Sequence, residues 1–137
     1  MSHGRLSLQA VEQMGIAMAT TRLLAAGYGV ALPVVDAGFD LLVYRRRRVW
    51  RVQVNATAAS GRHERSRVRI RCGNDKRLRY SPHTIDAVIA VHVTRNLCVC
   101  VPMRWLTERS TINFHTFSDY QDFSALMAAR PPKRKAT

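Results

Sequence analysis

The segment from Phe39 to Ala56 leaves the chain little freedom in what it can fold into. Phe39-Asp-Leu-Leu-Val-Tyr44 is an apolar run of strand length, and four consecutive arginines follow it. Val49 to Ala56 then alternates, with Trp50, Val52 and Val54 on one face and Arg51, Gln53 and Asn55 on the other. Period two marks a strand half in water and half in a core. Two such runs joined by Arg45 to Arg48 predict a β-hairpin with a basic tip.

The rest of the chain places elements around this hairpin. Leu8, Val11, Met14, Met18, Thr21 and Leu24 fall at three- and four-residue steps and predict a helix over 6–26, stopped at Gly27. Tyr28 to Val35 reads as a short strand broken near Pro33, followed by a turn at Asp36-Ala-Gly38. Residues 57–66 read as a polar loop. Arg67-Val-Arg-Ile-Arg-Cys72 alternates charge with apolar residues and predicts an edge strand, followed by a turn at 73–76. Ile85 to Val93 and Leu97 to Pro102 are apolar enough for two buried strands. A short helix over 103–108, a strand over 111–117 and a helix over 119–129 complete the order. The layout is α/β or α+β in a single domain over 1–129, with a disordered basic tail over 130–137.

Charge narrows the partner. The chain carries 22 Lys+Arg against 9 Asp+Glu, a formal +13. Arg130, Lys133, Arg134 and Lys135 account for four, so 13 − 4 leaves +9 on the rest. The excess is almost all arginine, whose planar fork of donors suits phosphate. A polyanionic partner follows, nucleic acid being the most common. An apolar share of 47% argues for a folded core. No run approaches the ~20 apolar residues that span a bilayer, so the expectation is no membrane and a cytoplasmic location. The three cysteines read as free thiols, Cys98 and Cys100 packing as small hydrophobes.

The chemistry concentrates on the hairpin. Asp40 opens its first strand, and Gln53 with Asn55 lies on one face of its second, so a hairpin of this length brings Asp40 close to Gln53. A carboxylate and an amide oxygen are hard ligands of the kind Mg²⁺ accepts.

Asp40 followed by Gln53-Val-Asn55 resembles the PD-(D/E)XK nuclease superfamily, nearest its group I intron-encoded homing endonucleases and archaeal Holliday-junction resolvases. Tyr80, Ile85-Asp-Ala-Val-Ile-Ala-Val91 and Leu97-Cys-Val-Cys-Val-Pro102 extend the resemblance, which covers about residues 10–115. It implies a restriction-endonuclease-like core, an α/β fold with a mixed sheet flanked by an N-terminal and a C-terminal helix. It also implies hydrolysis of DNA phosphodiester bonds with Mg²⁺ or Mn²⁺. Asp40 and Gln53 would be side-chain metal ligands and the Val54 carbonyl a backbone ligand. Duplex or branched DNA would be the partner of a homodimer or homotetramer, nucleoid-associated or encoded by a phage or mobile element.

Two positions depart from the family. Asn55 stands where the family has its lysine; it can hydrogen-bond but brings no charge. Losing a charged donor at a developing oxyanion costs on the order of a hundred-fold or more in rate. Arg51 or Lys76 is an alternative cation. Ile16 stands where family members often have a glutamate on the first helix, and Glu12, one turn earlier, is the nearest acid. Candidate catalytic residues are therefore Asp40, Gln53, Asn55 and Glu12. Arg45, Arg46, Arg47, Arg48, Arg67, Arg69, Arg71 and Lys76 are candidates for gripping nucleic acid.

Each feature has a plainer reading. Asp40 could cap a turn, Gln53 and Asn55 could be solvated sheet residues, and the arginine rows could blunt sheet edges. Two function classes stay open: a metal-dependent endonuclease, and a non-catalytic nucleic-acid-binding module on the same fold, which Asn55 favours. A basic adaptor for an acidic protein is a weaker third.

Overall fold

The computed structural model describes residues 6–58, 67–69, 82–106 and 111–129, with 67–69 described by backbone alone. Helix α1 runs from Leu8 to Ala25; Ser7 caps it by accepting a 3.1 Å bond from the Ala10 N–H. Gly27, at φ 92°, turns the chain out of it.

The face α1 buries differs from the one its large apolar residues suggest. Val11, Gly15, Ala19 and Leu23 are buried, whereas Leu8, Met14 and Leu24 are exposed. Close approach decides this. A Cβ on Gly15 would lie 2.5 Å from the Cβ of Ala56, so the small residues at 15 and 19 let the helix backbone sit against the sheet. A seam of larger residues would hold the helix further off.

Strands β1 (Gly29–Ala31), β2 (Leu41–Arg45) and β3 (Arg48–Thr57) form an antiparallel meander. β5 (Ala87–His92) lies parallel to β3, and β6 (Leu97–Pro102) antiparallel to β5, giving the order β1-β2-β3-β5-β6. The basic hairpin is as the sequence predicts, with Arg45 paired to Arg48 and Arg46 in the left-handed region at φ 57°. β4 (Arg67–Arg69) pairs with β7 (Thr111–Asn113) in a separate two-stranded sheet.

Two buried clusters cover the two faces of the large sheet. One joins Val11, Ala19 and Leu23 of α1 to Leu41, Val43, Trp50, Val52 and Val54, and to Phe123 and Leu126 near the C-terminal end. The other joins Val88, Ala90, Val99 and Val101 to Met103, Leu106, Ile112, Phe114 and Phe117. The predicted C-terminal helix is shorter than its apolar pattern suggests. A 3₁₀ turn covers Ser118–Tyr120 and α2 spans only Ser124–Ala128. Phe123 in the left-handed conformation (φ 63°) and the Asp122 carboxylate bonding the Ser124 N–H separate the two pieces. Residues 103–105 likewise form a 3₁₀ turn, not a helix to 108, of which 107 and 108 lie outside the described residues, as does most of 57–66. Among the described residues no helix is long and apolar enough to cross a membrane.

Candidate active site

A mismatch in strand length builds the site. The β2–β3 register ends at Leu41 opposite Val52, while β3 continues to Thr57. The carbonyls of Arg51 and Thr57 accept from Asp86 and Val93, on the β5 side. Backbone groups alternate along a strand. The even-numbered residues of β3 therefore turn toward β2. Val52 confirms this by accepting a 3.0 Å bond from the Asp40 N–H. Val54 is the first of them with no strand opposite, and the Asp40 carboxylate takes the vacant rung, accepting the Val54 N–H at 2.9 Å. By the same alternation the Val54 carbonyl faces this opening.

Asp40 is held in an unfavourable setting. Burial of its carboxyl raises its pKa above the ordinary aspartate value, partly offset by the Val54 N–H, and the charges of Glu12 and Asp36 raise it further. The exposed Glu12 of α1 therefore lies within electrostatic reach of Asp40, which the chain separation of 12 and 40 does not announce. Gln53 and Asn55 are half-buried, and their β5 partners are Val88 and Ala90. Paired residues share a face, so these two amides lie on the side away from α1.

Arg51, the alternative cation, is committed elsewhere. Its N–H and Nε donate to Asp86 Oδ2 at 2.7 and 3.2 Å, Nη2 donates to Asp86 Oδ1 at 3.1 Å, and Nη1 donates to the His83 carbonyl at 2.7 Å. Asp86 is buried at the head of β5. This pair clamps the two parallel strands together where they start. Sequence reasoning missed it; the available signal was a lone carboxylate opening an otherwise apolar strand.

The arginines of the tip divide. Arg46 and Arg47 are exposed, and Arg45 lies with its Cζ 5.3 Å from the centre of the Tyr28 ring. Arg48 turns inward, stacking 4.9 Å over Trp50 and donating to the carbonyls of Met127 and Ala129. Arg67 and Arg69 lie on β4, their side chains undescribed, while Arg71, Lys76 and the tail after Ala129 lie outside the described residues.

The sequence from 8 to 122 matches the PD-(D/E)XK endonuclease family. The chain belongs to that family. The structure also resembles that of a bacterial homing endonuclease, I-Ssp6803I, with a TM-score of 0.67 at 22% identity, covering 79% of this chain and 78% of that one. No curated protein matches the chain. The likeness of fold supports the mixed sheet with an N-terminal and a C-terminal helix as a restriction-endonuclease-like core. Asp40, Gln53 and Asn55, on which the sequence resemblance rests, all lie within the matched span. Of the two alternative cations, Arg51 is bound to Asp86, and Lys76 lies outside the described residues.

Proposed function

We propose that this PD-(D/E)XK protein is a divalent-metal-dependent DNA endonuclease with Asp40 at the centre of its site. The observation that supports this best is the Asp40 carboxylate closing the rung at Val54, toward which the Val54 carbonyl also turns, within reach of the charge of Glu12. Among the described residues no three His, Cys, Asp or Glu side chains gather as a metal cluster. A cation here would draw on the Asp40 carboxylate, the Gln53 amide oxygen and the Val54 carbonyl, with water completing its shell. That oxygen-only set fits Mg²⁺ or Mn²⁺. A cation would also relieve the electrostatic crowding that Glu12 and Asp36 impose on Asp40.

When bound, the metal supplies Lewis-acid stabilisation of charge on the phosphate. Asp40 is held in place by the Val54 N–H, so no side-chain ordering is needed when the phosphate arrives. Asn55 can donate an amide hydrogen bond to a phosphate oxygen but cannot neutralise it. Water attacks phosphorus and releases a proton to solvent, the P–O bond to the sugar breaks, and the leaving oxygen takes a proton from solvent. Arg45, Arg46 and Arg47, with Arg67, Arg69, Arg71 and Lys76, hold the backbone of duplex or branched DNA. Cutting both strands needs two sites, hence a homodimer or homotetramer acting in the cytoplasm.

The second reading, a binding module that does not cut, rests on Asn55. Junction, duplex and single-stranded DNA are incubated with Mg²⁺ or Mn²⁺, comparing the native protein with Asp40→Ala. Cleavage that Asp40→Ala abolishes supports the nuclease. Tight binding with no cleavage on any substrate refutes it, and recovery of cleavage in Asn55→Lys assigns the defect to the missing charge.

A further inference from the structure

Among the described residues, the sheet face that carries Gln53 and Asn55 is covered over only part of its width. Over β5 and β6 it is buried by Met103, Leu106, Ile112, Phe114 and Phe117. That cluster takes no described residue from β1, β2 or β3. The register sets Gly29, Tyr44 and Val49 side by side on this face, with Ala31, Leu42 and Arg51 in the next row. Tyr44 is 47% exposed and Val49 46%, and Ala31 is exposed beside them.

The tyrosine has a seat. A Cβ on Gly29 would overlap Cε2 and Cζ of the Tyr44 ring, so the ring fills the space of the side chain that glycine lacks. An aromatic set across from a glycine shields the bare backbone, and the backbone in turn limits where the ring can go. The ring is therefore positioned in advance, while nearly half of the residue faces solvent.

Its surroundings indicate what it meets. Arg46 and Arg47 are exposed at the tip just beyond it. The chain carries +13, which repels a second copy and attracts a polyanion. In the other direction Gln53 lies four residues from Val49 on β3, about 13 Å at roughly 3.3 Å per residue. Gripping phosphate calls for charge; an apolar ring between exposed arginines and an amide pair suits the π-face of a base. In an intact duplex those faces are stacked on one another, so the ring can reach one only where a base is unpaired or unstacked.

We propose that Tyr44 is a base-stacking platform that directs the protein to DNA holding an unpaired or unstacked base, in preference to intact duplex. Gly29 is its positioning residue. The proposal rests on the reading that the partner is DNA and deepens it by naming the substrate class.

The test compares two labelled duplexes, with 2-aminopurine opposite thymine in one and as an extra, unpaired base in the other. Both are titrated in EDTA so that nothing is cut; anisotropy reads affinity and 2-aminopurine fluorescence reads stacking. The native protein should bind the second duplex more tightly and quench it. Tyr44→Ala should lose about 5- to 150-fold in affinity for that duplex, abolish the quench and leave binding to the paired duplex unchanged. Tyr44→Phe should keep both signals and Tyr44→Leu neither. That comparison separates stacking from apolar contact, and it decides the matter even if Tyr44→Ala fails to fold by thermal melting. Gly29→Ala should weaken the quench, and a quench of native depth would overturn the seating role. Equal native affinity for the two duplexes, with no quench, refutes stacking while DNA binding stands. If Tyr44→Ala weakens both duplexes equally and changes the sedimentation of the free protein, the face is a subunit contact and the proposal falls. A native protein that binds neither duplex at low salt overturns the DNA reading itself, and the stacking with it.

Discussion

Replacing Asp86 by Asn should destabilise the fold more than any change at the candidate active site. The carboxylate receives three bonds from one residue, the N–H, Nε and Nη2 of Arg51, and its side chain is 1% exposed. An asparagine keeps the shape and one acceptor but turns an amide N–H₂ toward a guanidinium, donor against donor. Breaking a buried ion pair from one side costs about 3–5 kcal/mol. Arg51 keeps its bond to the His83 carbonyl, and its side chain is a fifth exposed, which sets the expectation at the low end, about 3 kcal/mol. With an unfolding entropy near 2.1 cal/mol/K per residue, 137 residues give about 0.29 kcal/mol/K. The thermal midpoint should then fall by about 10 °C, measured by circular dichroism at neutral pH. The double replacement Arg51→Met with Asp86→Leu removes the charge from both sides and should recover at least half of the loss. A fall below about 3 °C in Asp86→Asn would refute the idea that this pair clamps β3 to β5.

Asp40 behaves in the opposite sense. Its raised pKa means the folded state binds a proton more readily than the unfolded chain does, so stability falls as pH rises from the ordinary aspartate value through the folded one. Asp40→Asn should therefore raise the midpoint at neutral pH, with the gain fading as the solution is acidified; an equal gain at pH 3 and pH 7 would contradict the burial account. Mg²⁺ or Mn²⁺ should raise the midpoint of the native protein in a concentration-dependent way and leave that of Asp40→Asn in place, followed by differential scanning fluorimetry. Gly15→Ala should cost about 1–3 kcal/mol by pushing α1 off Ala56, and Ala56→Gly in the same chain should restore part of it, read by urea unfolding. In a Cys72→Ser background, burial that pushes the Cys98 thiol up to about 12 and the Cys100 thiol higher still should leave both unreactive to a disulfide reagent until the protein is unfolded.

What the sequence disclosed follows the range of the forces involved. The hairpin from Asp40 to Asn55 was legible because strand period and a basic turn are local signals, and they alone bring the aspartate to the β3 backbone. The buried seam of α1 was not: hydropathy favours Leu8 and Met14, while the fit of Gly15 against Ala56 depends on a strand 41 positions away. The inward turn of Arg48 was hidden for the same reason, since four identical arginines carry no mark of which one meets the Ala129 carbonyl. The helix expected over 119–129 overran because an apolar pattern does not record Phe123 in the left-handed conformation. The proximity of Glu12 to Asp40 comes from how far α1 is drawn onto the sheet, which only the packed structure sets.

Asp40, Gln53 and Asn55 belong to neither buried cluster. Strand length, not core packing, creates the open rung at Val54 that the Asp40 carboxylate fills. Side-chain changes at 53 and 55 leave both clusters untouched. Substitutions there can change polarity and charge without emptying a core position. On the nuclease reading proposed above, a single substitution at position 55 is then enough to lose or regain cutting.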